Sequence, residues 1–337
     1  MTMLPGLDVD LPVIAAPMAG GVSTPDLVLA AAHAGSLGFL AAGYKSADTL
    51  RAQIAAVRSV PFGVNVFAPN PVPVDRAAYQ RYAEALRPEA DRYGLDLATE
   101  PVDSDDEWAA KLDLLTSAPV PLVSFTFGVP APAVIARLRS AGTVVAQTVT
   151  CADEARLAAD AGVDLLVVQA SAAGAHSGTL TPQHLPPPTP VGELLAQVAA
   201  AVPLPMIAAG GLATADDVAA VLQHGAAAAM VGTALLRADE SGASATHKAA
   251  LADPARTETV VTRAYTGRPA RGLRTSFIDR YDVIAPTGYP AVHYLTSPLR
   301  SAAAAAGDAE RVHLWAGTGW RHASAEPAAA ILTRLAG

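Results

Sequence analysis

Pro205-Met-Ile-Ala-Ala-Gly-Gly-Leu-Ala-Thr-Ala-Asp-Asp-Val-Ala-Ala-Val-Leu-Gln-His-Gly-Ala-Ala-Ala-Ala-Met-Val-Gly-Thr233 is the stretch that decides the fold. Its ends, Pro205–Ala209 and Ala228–Val231, are short runs of continuous rather than alternating hydrophobicity. Strands of a parallel sheet covered on both faces require that pattern. Between them, Thr214 with Asp217 three residues on is an acidic form of the capping box that opens a helix. Gly225 stands where a left-handed C-terminal cap is wanted. The stretch reads as one strand–helix–strand unit, and both strands run out into glycine, at Gly210-Gly211 and at Gly232.

The same unit recurs outward from this point. Val13–Pro17, Leu37–Ala42, Phe62–Phe67, Leu122–Phe127, Thr143–Val149 and Leu165–Gln169 are further strand-like runs, separated by Ala-rich helical stretches. Thr24-Pro25 and Gly35 punctuate the first helix, and Thr150 with Asp153 opens the one that Gly162 closes. Eight repeats predict a closed α/β fold, a (β/α)8 TIM barrel, rather than a doubly wound sheet. Two segments exceed the repeat. Pro69 to Pro119 is a partly acidic excursion with helices expected around Arg76–Leu86 and Trp108–Leu115. Arg237 to about Gly307 follows the eighth run. The expected organisation is a barrel over 1–235, a smaller, mostly helical substrate-side domain over 236–307, and a C-terminal return over 308–337 that uses Pro327–Leu335.

Composition narrows the function classes. The 337 residues carry 23 Lys plus Arg against 31 Asp plus Glu, a net charge of -8, which argues against nucleic-acid and anionic-membrane partners. Charged residues make up 16% and hydrophobics 51%, enough for a large core. The single cysteine, Cys151, excludes an intramolecular disulfide and suits a reducing cytoplasm. Cys151 stands at a helix start that can lower a thiol pKa, though a structural role is the simpler reading. Met1 to Asp10 lacks a basic region followed by an apolar one, which argues against a signal peptide. The most apolar window, Leu27 to Gly43, is too short and too rich in small residues for a membrane span.

A closed barrel places its active site at the C-terminal ends of the strands, so the residues after each run carry the functional reading. Gly210, Gly211 and Gly232 let backbone N–H groups approach an anion at helix N-termini, the position where barrels bind phosphate. After the sixth run comes Gln169-Ala-Ser-Ala-Ala-Gly-Ala-His-Ser-Gly178. Gln169 offers an amide at the strand end, and the glycines Gly174 and Gly178 shape a loop that holds His176 over the barrel mouth. Met18, in Ala15-Ala-Pro-Met-Ala-Gly-Gly21, offers a thioether to a flat ring, and Asn65, in Gly63-Val-Asn-Val-Phe67, offers an amide. No histidine has metal-ligand spacing, so no metal is expected, and neither a Rossmann fingerprint nor a P-loop is present. Phosphate loops, amides and a poised histidine together suggest a phosphate-bearing flat heterocycle, and FMN fits.

These motifs, with Val261-Thr-Arg-Ala-Tyr-Thr-Gly-Arg-Pro-Ala-Arg-Gly272 and Leu314-Trp-Ala-Gly317, resemble the nitronate monooxygenase family, formerly 2-nitropropane dioxygenase, over nearly the whole chain. The resemblance implies an FMN-containing TIM barrel with a smaller, mostly helical domain over the cofactor. It implies that Met18, Asn65, Gln169, Gly174, Gly211, Met230, Val231, Gly232 and Thr233 contact FMN, with the phosphate on Gly211, Gly232 and Thr233. His176 becomes the catalytic histidine. The implied reaction is oxidation of an alkyl nitronate of the propionate-3-nitronate type, or of a nitroalkane, by O2 to a carbonyl compound and nitrite. The loop departs from the family's Gln-Gly-x-Glu-Ala-Gly-Gly-His at Ala170, Ala172 and Ala175, which removes an acid near the histidine and adds a methyl beside it. Two other readings stay open: an NAD(P)H-dependent flavin reductase acting on quinones or enoyl thioesters, and a flavin-binding protein without catalysis. A homo-oligomer is also left open. Tyr289 or Tyr294 is expected to line the pocket or to pack behind it.

Overall fold

The computed structural model describes residues 2–4 and 7–337. The N-terminal stretch read above for a targeting signal includes Met1, Pro5 and Gly6, which lie outside the described residues. Eight parallel strands close into a barrel: β1 (Val13–Ala15), β2 (Leu37–Ala41), β3 (Phe62–Phe67), β4 (Leu122–Thr126), β5 (Val144–Val149), β6 (Leu165–Gln169), β7 (Met206–Ala209) and β8 (Ala228–Val231). Each strand pairs with its sequence neighbours, and β8 pairs back onto β1 through Met230 opposite Ile14. The eight strands are the expected eight runs, trimmed by a residue or two at Pro17, Ala42, Phe127, Thr143 and Pro205, where pairing stops.

Strand alternation divides the residues into two sets. Val64, Val66, Val123, Phe125, Val145, Leu166 and Val168 point outward and pack on the helical ring in the largest core cluster. Ile14, Leu37, Phe39, Leu122, Ala146, Leu165, Ile207, Ala228 and Met230 point inward and fill the lumen as a separate apolar plug. Gly63 belongs to that plug through its missing side chain, since a Cβ there would fall 2.3 Å from the Phe39 ring. Val9, from the N-terminal hairpin of Thr2–Leu4 and Leu7–Val9, packs on the same plug. Higher in the lumen the inward residues turn polar: Asn65, Ser124, Thr126, Thr148 and Gln169. That change from apolar plug to polar layer marks the mouth.

Caps follow the sequence in part. Thr214 and Asp217 form a complete capping box on Ala215–Gln223, and Gly162 closes Ala152–Ala161 in the left-handed region. Thr150 and Asp153 do not form the expected box. Cys151 is the N-cap residue, and Glu154 instead takes both the N–H and the hydroxyl of Thr150, at 2.6 and 2.8 Å. Burial pushes the Cys151 thiol up rather than down, opposite to the lowering that a helix start can give.

The two long segments pack together. Helix Arg76–Asp91 joins Tyr265, Phe277, Tyr281, Val292, Leu295 and Leu299 in one core through Tyr79, Tyr82 and Leu86. The segment after β8 has helices Ala245–Ala252, Ser276–Tyr281 and Ala291–Ala305. It also carries an antiparallel hairpin, Thr259–Thr262 with Ala270–Leu273, that the mostly helical expectation missed. The hairpin accepts a third strand from the β6 loop: Ala175–His176 pairs with Ala270–Arg271. Helix Ala328–Ala336 returns to pack beside Pro25–His33 and Ala215–Gln223.

Candidate active site

His176 owes its place to three ties. Its backbone is the third strand of the small sheet, and Ser177 N–H donates to Pro269 O at 2.9 Å. Gln169, at the end of β6, spans the loop: its Oε1 accepts from Gly178 N–H at 2.7 Å and its Nε2 donates to His176 O at 3.3 Å. Gln169 therefore shapes the loop with the amide that the sequence reading aimed at a ring edge. The third tie is to the side chain, where Nε2 lies 3.0 Å from Thr266 Oγ1.

Rings enclose the imidazole. Phe127, Tyr289 and Trp315 stand 5.6, 5.7 and 5.8 Å from it, centroid to centroid. Tyr289 donates to or accepts from Tyr44 through their hydroxyls at 3.0 Å, and Tyr44 stacks on His293 at 3.9 Å. Tyr289 is thus the tyrosine of the expected pair that reaches the histidine; Tyr294 contacts His293 on its far side. Tyr44 and Phe127 each follow a barrel strand with positive φ, 63° and 83°. Neither stood out in the sequence, where Phe127 closes the fourth strand-like run and Tyr44 lies three residues past β2. Their position after β2 and β4 was the available signal.

Two buried arginines stand beside this box. Arg268 is 0% exposed, lies 4.0 Å above the Phe127 ring, and donates to Ser177 O and Thr179 O. Among the described residues its Nη1 has no hydrogen-bond partner. Arg300 donates through Nε to Thr296 and through Nη2 to His293. Neither arginine forms an ion pair among the described residues. Burial lowers each to about 10, so both are cations at neutral pH. Burial, helped by the Arg268 and Arg300 charges, pushes His176 down to about 3, which makes it a neutral imidazole at neutral pH. Burial raises the Tyr44 and Tyr289 phenols and keeps them protonated.

A second cluster lies at the ends of β7 and β8. Gly210 and Gly211 have φ of 106° and 81°, values that a side chain would strain. A Cβ on Gly210 would strike Ala170 O at 2.7 Å, and one on Gly174 would strike Gly317 N at 2.5 Å, so these loops and Leu314–Gly319 are locked together. Among the described residues the N–H groups of Gly211 and Gly232 meet no acceptor. A Cβ on Gly232 would come no nearer than 3.4 Å to its nearest neighbours, the Ala16 side chain and the Met18 thioether. Thr233 Oγ1 accepts from Gly317 N–H at 2.9 Å and keeps its own hydrogen for a ligand. Free donors with open space fit an anion such as a phosphate. Met230, buried, and Val231 form the strand that delivers them. Asn65 Nδ2 is spent on Ser124 and Thr126, which leaves its Oδ1 as the free acceptor of the polar layer. The structure therefore brings Met18, Gly211, Gly232 and Thr233 into one group and His176 with Gln169 into another. Gly174 joins them through Gly317. Among the described residues no group of three or more metal-ligating side chains occurs.

The nitronate monooxygenase family model matches residues 4–336. The chain belongs to the nitronate monooxygenase family. It is a flavin-dependent oxidoreductase of a family that acts on nitro compounds. A probable nitronate monooxygenase of Staphylococcus aureus is 34% identical over 336 residues, covering 98% of this chain and 94% of that protein. Nitroalkane oxidase from Streptomyces ansochromogenes is 48% identical and superposes with a TM-score of 0.92, covering 97% of this chain and 95% of its own. FabK from Thermotoga maritima is 26% identical with a TM-score of 0.74, covering 97% and 92%.

Proposed function

We propose that the chain uses FMN and O2 to oxidise alkyl nitronates, the propionate-3-nitronate type included, to a carbonyl compound and nitrite. The observation that carries this reading is the neutral His176 walled by rings beside two buried, ion-pair-free arginines. A neutral imidazole can accept the α-proton of a nitroalkane, and the cations favour the nitronate anion that results. The Tyr44–Tyr289 hydroxyl pair, protonated throughout, spends one hydrogen on its mutual bond and keeps the other to donate to a nitro oxygen. Gly211, Gly232 and Thr233 would hold the phosphate of FMN, with Met18, Asn65, Gln169, Gly174, Met230 and Val231 around the rest of it. The flavin supplies the electron-transfer chemistry to oxygen. The chain's own contribution is position, dryness and charge. The barrel over 1–235 would carry the cofactor, the segment 236–307 would cover the substrate, and 308–337 would return to the barrel. The single cysteine suits the cytoplasm as the working compartment.

The similarity to nitroalkane oxidase, closer than that to FabK, favours the nitro substrate over the reductase reading. Nitrite release in air from a nitronate, measured with and without NAD(P)H, tests it. Nitrite formed equally in both conditions supports the oxidase, and turnover of a quinone or enoyl thioester that depends on NAD(P)H supports the reductase. Bound flavin with no turnover at all supports a binding protein.

A further inference from the structure

We propose that Thr266 is a positioning residue that fixes the tautomer of His176, placing its proton on Nε2 and leaving Nδ1 as the nitrogen free for chemistry. The hydrogens around one hydroxyl decide it. Thr266 is 1% exposed and has a single hydroxyl hydrogen. Two acceptors compete for it: Arg268 O at 3.2 Å and His176 Nε2 at 3.0 Å. Arg268 N–H also points at the same oxygen, at 3.4 Å.

If the hydrogen went to His176, the Arg268 carbonyl would have no donor. That carbonyl lies in a residue with no exposed surface, and no other group among the described residues reaches it. A buried carbonyl left unpaired is costly, and buried backbone groups are nearly always paired. If the hydrogen goes to Arg268 O, the lone pairs of Oγ1 receive Arg268 N–H and His176 Nε2–H, and every group is satisfied. The second arrangement is therefore the one adopted. Nδ1 has no partner among the described residues, so its lone pair is available.

The support for Thr266 is rigid. The turn that carries it is pinned where Gly267 N–H donates to Arg263 O at 2.8 Å and Gly288 N–H donates to Gly267 O at 3.1 Å. A Cβ on Gly267 would strike the Gly288 backbone at 2.7–2.9 Å, so the turn and the segment before helix Ala291–Ala305 are in direct contact. Thr266 thus presents a fixed acceptor to a histidine on a different loop.

The proposal rests on the proton-accepting role of His176 argued above, and its first test is independent of turnover. The imidazole 15N spectrum of the flavin-loaded protein, with the His176 signals assigned by their loss in His176→Gln, reads the tautomer directly. The expected spectrum has a protonated Nε2 and an unprotonated Nδ1. The Thr266→Ser variant keeps that spectrum, and Thr266→Val shifts His176 toward a mixture of tautomers. In turnover, Thr266→Val lowers kcat on a neutral nitroalkane about tenfold with KM changed less than twofold, and Thr266→Ser restores it. A proton on Nδ1 in the unaltered protein overturns the proposal, as does an unchanged tautomer in a folded Thr266→Val. The unaltered protein and Thr266→Ser decide the matter if Thr266→Val does not fold. If the tautomer is as expected but no nitro compound is oxidised, the functional reading fails while the role of Thr266 stands.

Discussion

Ala175, immediately before the histidine, has a φ of 62°, in the left-handed region where alanine pays roughly 1–2 kcal/mol. The family pattern puts glycine there, so the alanine that looked in the sequence like one extra methyl is a strained residue that the hairpin holds in place. Ala175→Gly removes the strain and adds about as much unfolded-chain entropy, so denaturant unfolding should change by less than about 1 kcal/mol. Ala175→Val should lose about 1–3 kcal/mol, because a β-branched residue fits that φ poorly. Chemistry at this scale belongs to His176. Replacing it with glutamine should lower kcat/KM on a neutral nitroalkane by at least about 10²-fold. On a preformed nitronate the loss should be much smaller, since no proton remains to be removed. Equal losses on both substrates would assign the histidine to binding instead of proton transfer. The position of His176 was readable from a glycine-rich loop at a strand end. Of its aromatic walls only Tyr289 was anticipated; Phe127, Trp315 and the tautomer set by Thr266 were not, because these residues come from segments scattered through the chain.

Elements explain how those scattered segments meet. The β6 loop is held from two sides, by the hairpin through Ala175–His176 and by the helix Ala152–Ala161 through Glu154. That buried carboxylate accepts from Thr150 N–H and hydroxyl on one side and from Thr179 hydroxyl and Leu180 N–H on the other. Glu154→Leu should therefore cost about 2–5 kcal/mol of stability, as four buried donors lose their acceptor. It should also weaken the Ser177 and Thr179 carbonyl grip on Arg268. The acidic excursion has a comparable purpose on the opposite wall. Asp106, with a φ of 57°, accepts from Tyr44 N–H at 2.9 Å and pairs with the fully buried Lys111 at 2.8 Å. Burial outweighs the lysine charge and raises the Asp106 carboxyl above its ordinary value. Lys111→Ala strands a buried carboxylate and should cost about 3 kcal/mol or more in thermal or denaturant unfolding. The double change Lys111→Met with Asp106→Asn should recover most of that loss. In the sequence Asp103 to Glu107 read only as the acidic part of the excursion from Pro69 to Pro119. Only the contact with the loop after β2 reveals its role in placing Tyr44, and no local pattern encodes that contact.

At the scale of the whole molecule, the barrel was legible because each βα unit carries its own start and stop residues. The second segment was legible only as an excess over the repeat. Its hairpin is completed by a strand from the barrel loop, and that pairing over some ninety residues leaves no periodic trace. The joint between the two buries neutral histidines. His176 is pushed down to about 3 and His247 to about 4, in both cases mainly by burial. Below the unfolded value of about 6.5 the unfolded chain takes up protons that the folded one refuses. Stability is thus full above about pH 6.5 and falls as the pH drops toward 4, by about 1.4 kcal/mol per pH unit for each such group. Thermal unfolding should show Tm constant from pH 8 to 7 and declining steadily from pH 6 to 4. A Tm that held steady down to pH 4 would contradict buried neutral histidines. Among the described residues no helix is long and apolar enough to cross a membrane.

If this box of rings and cations was built for a nitronate, anaerobic absorbance spectroscopy of the FMN-loaded protein will show it. Mixing with an alkyl nitronate should change the flavin spectrum at once, and admitting air should release nitrite. Mixing with NADH or NADPH should leave the spectrum unchanged. Bleaching by a nicotinamide together with no response to nitronate would contradict the account and make the chain a reductase.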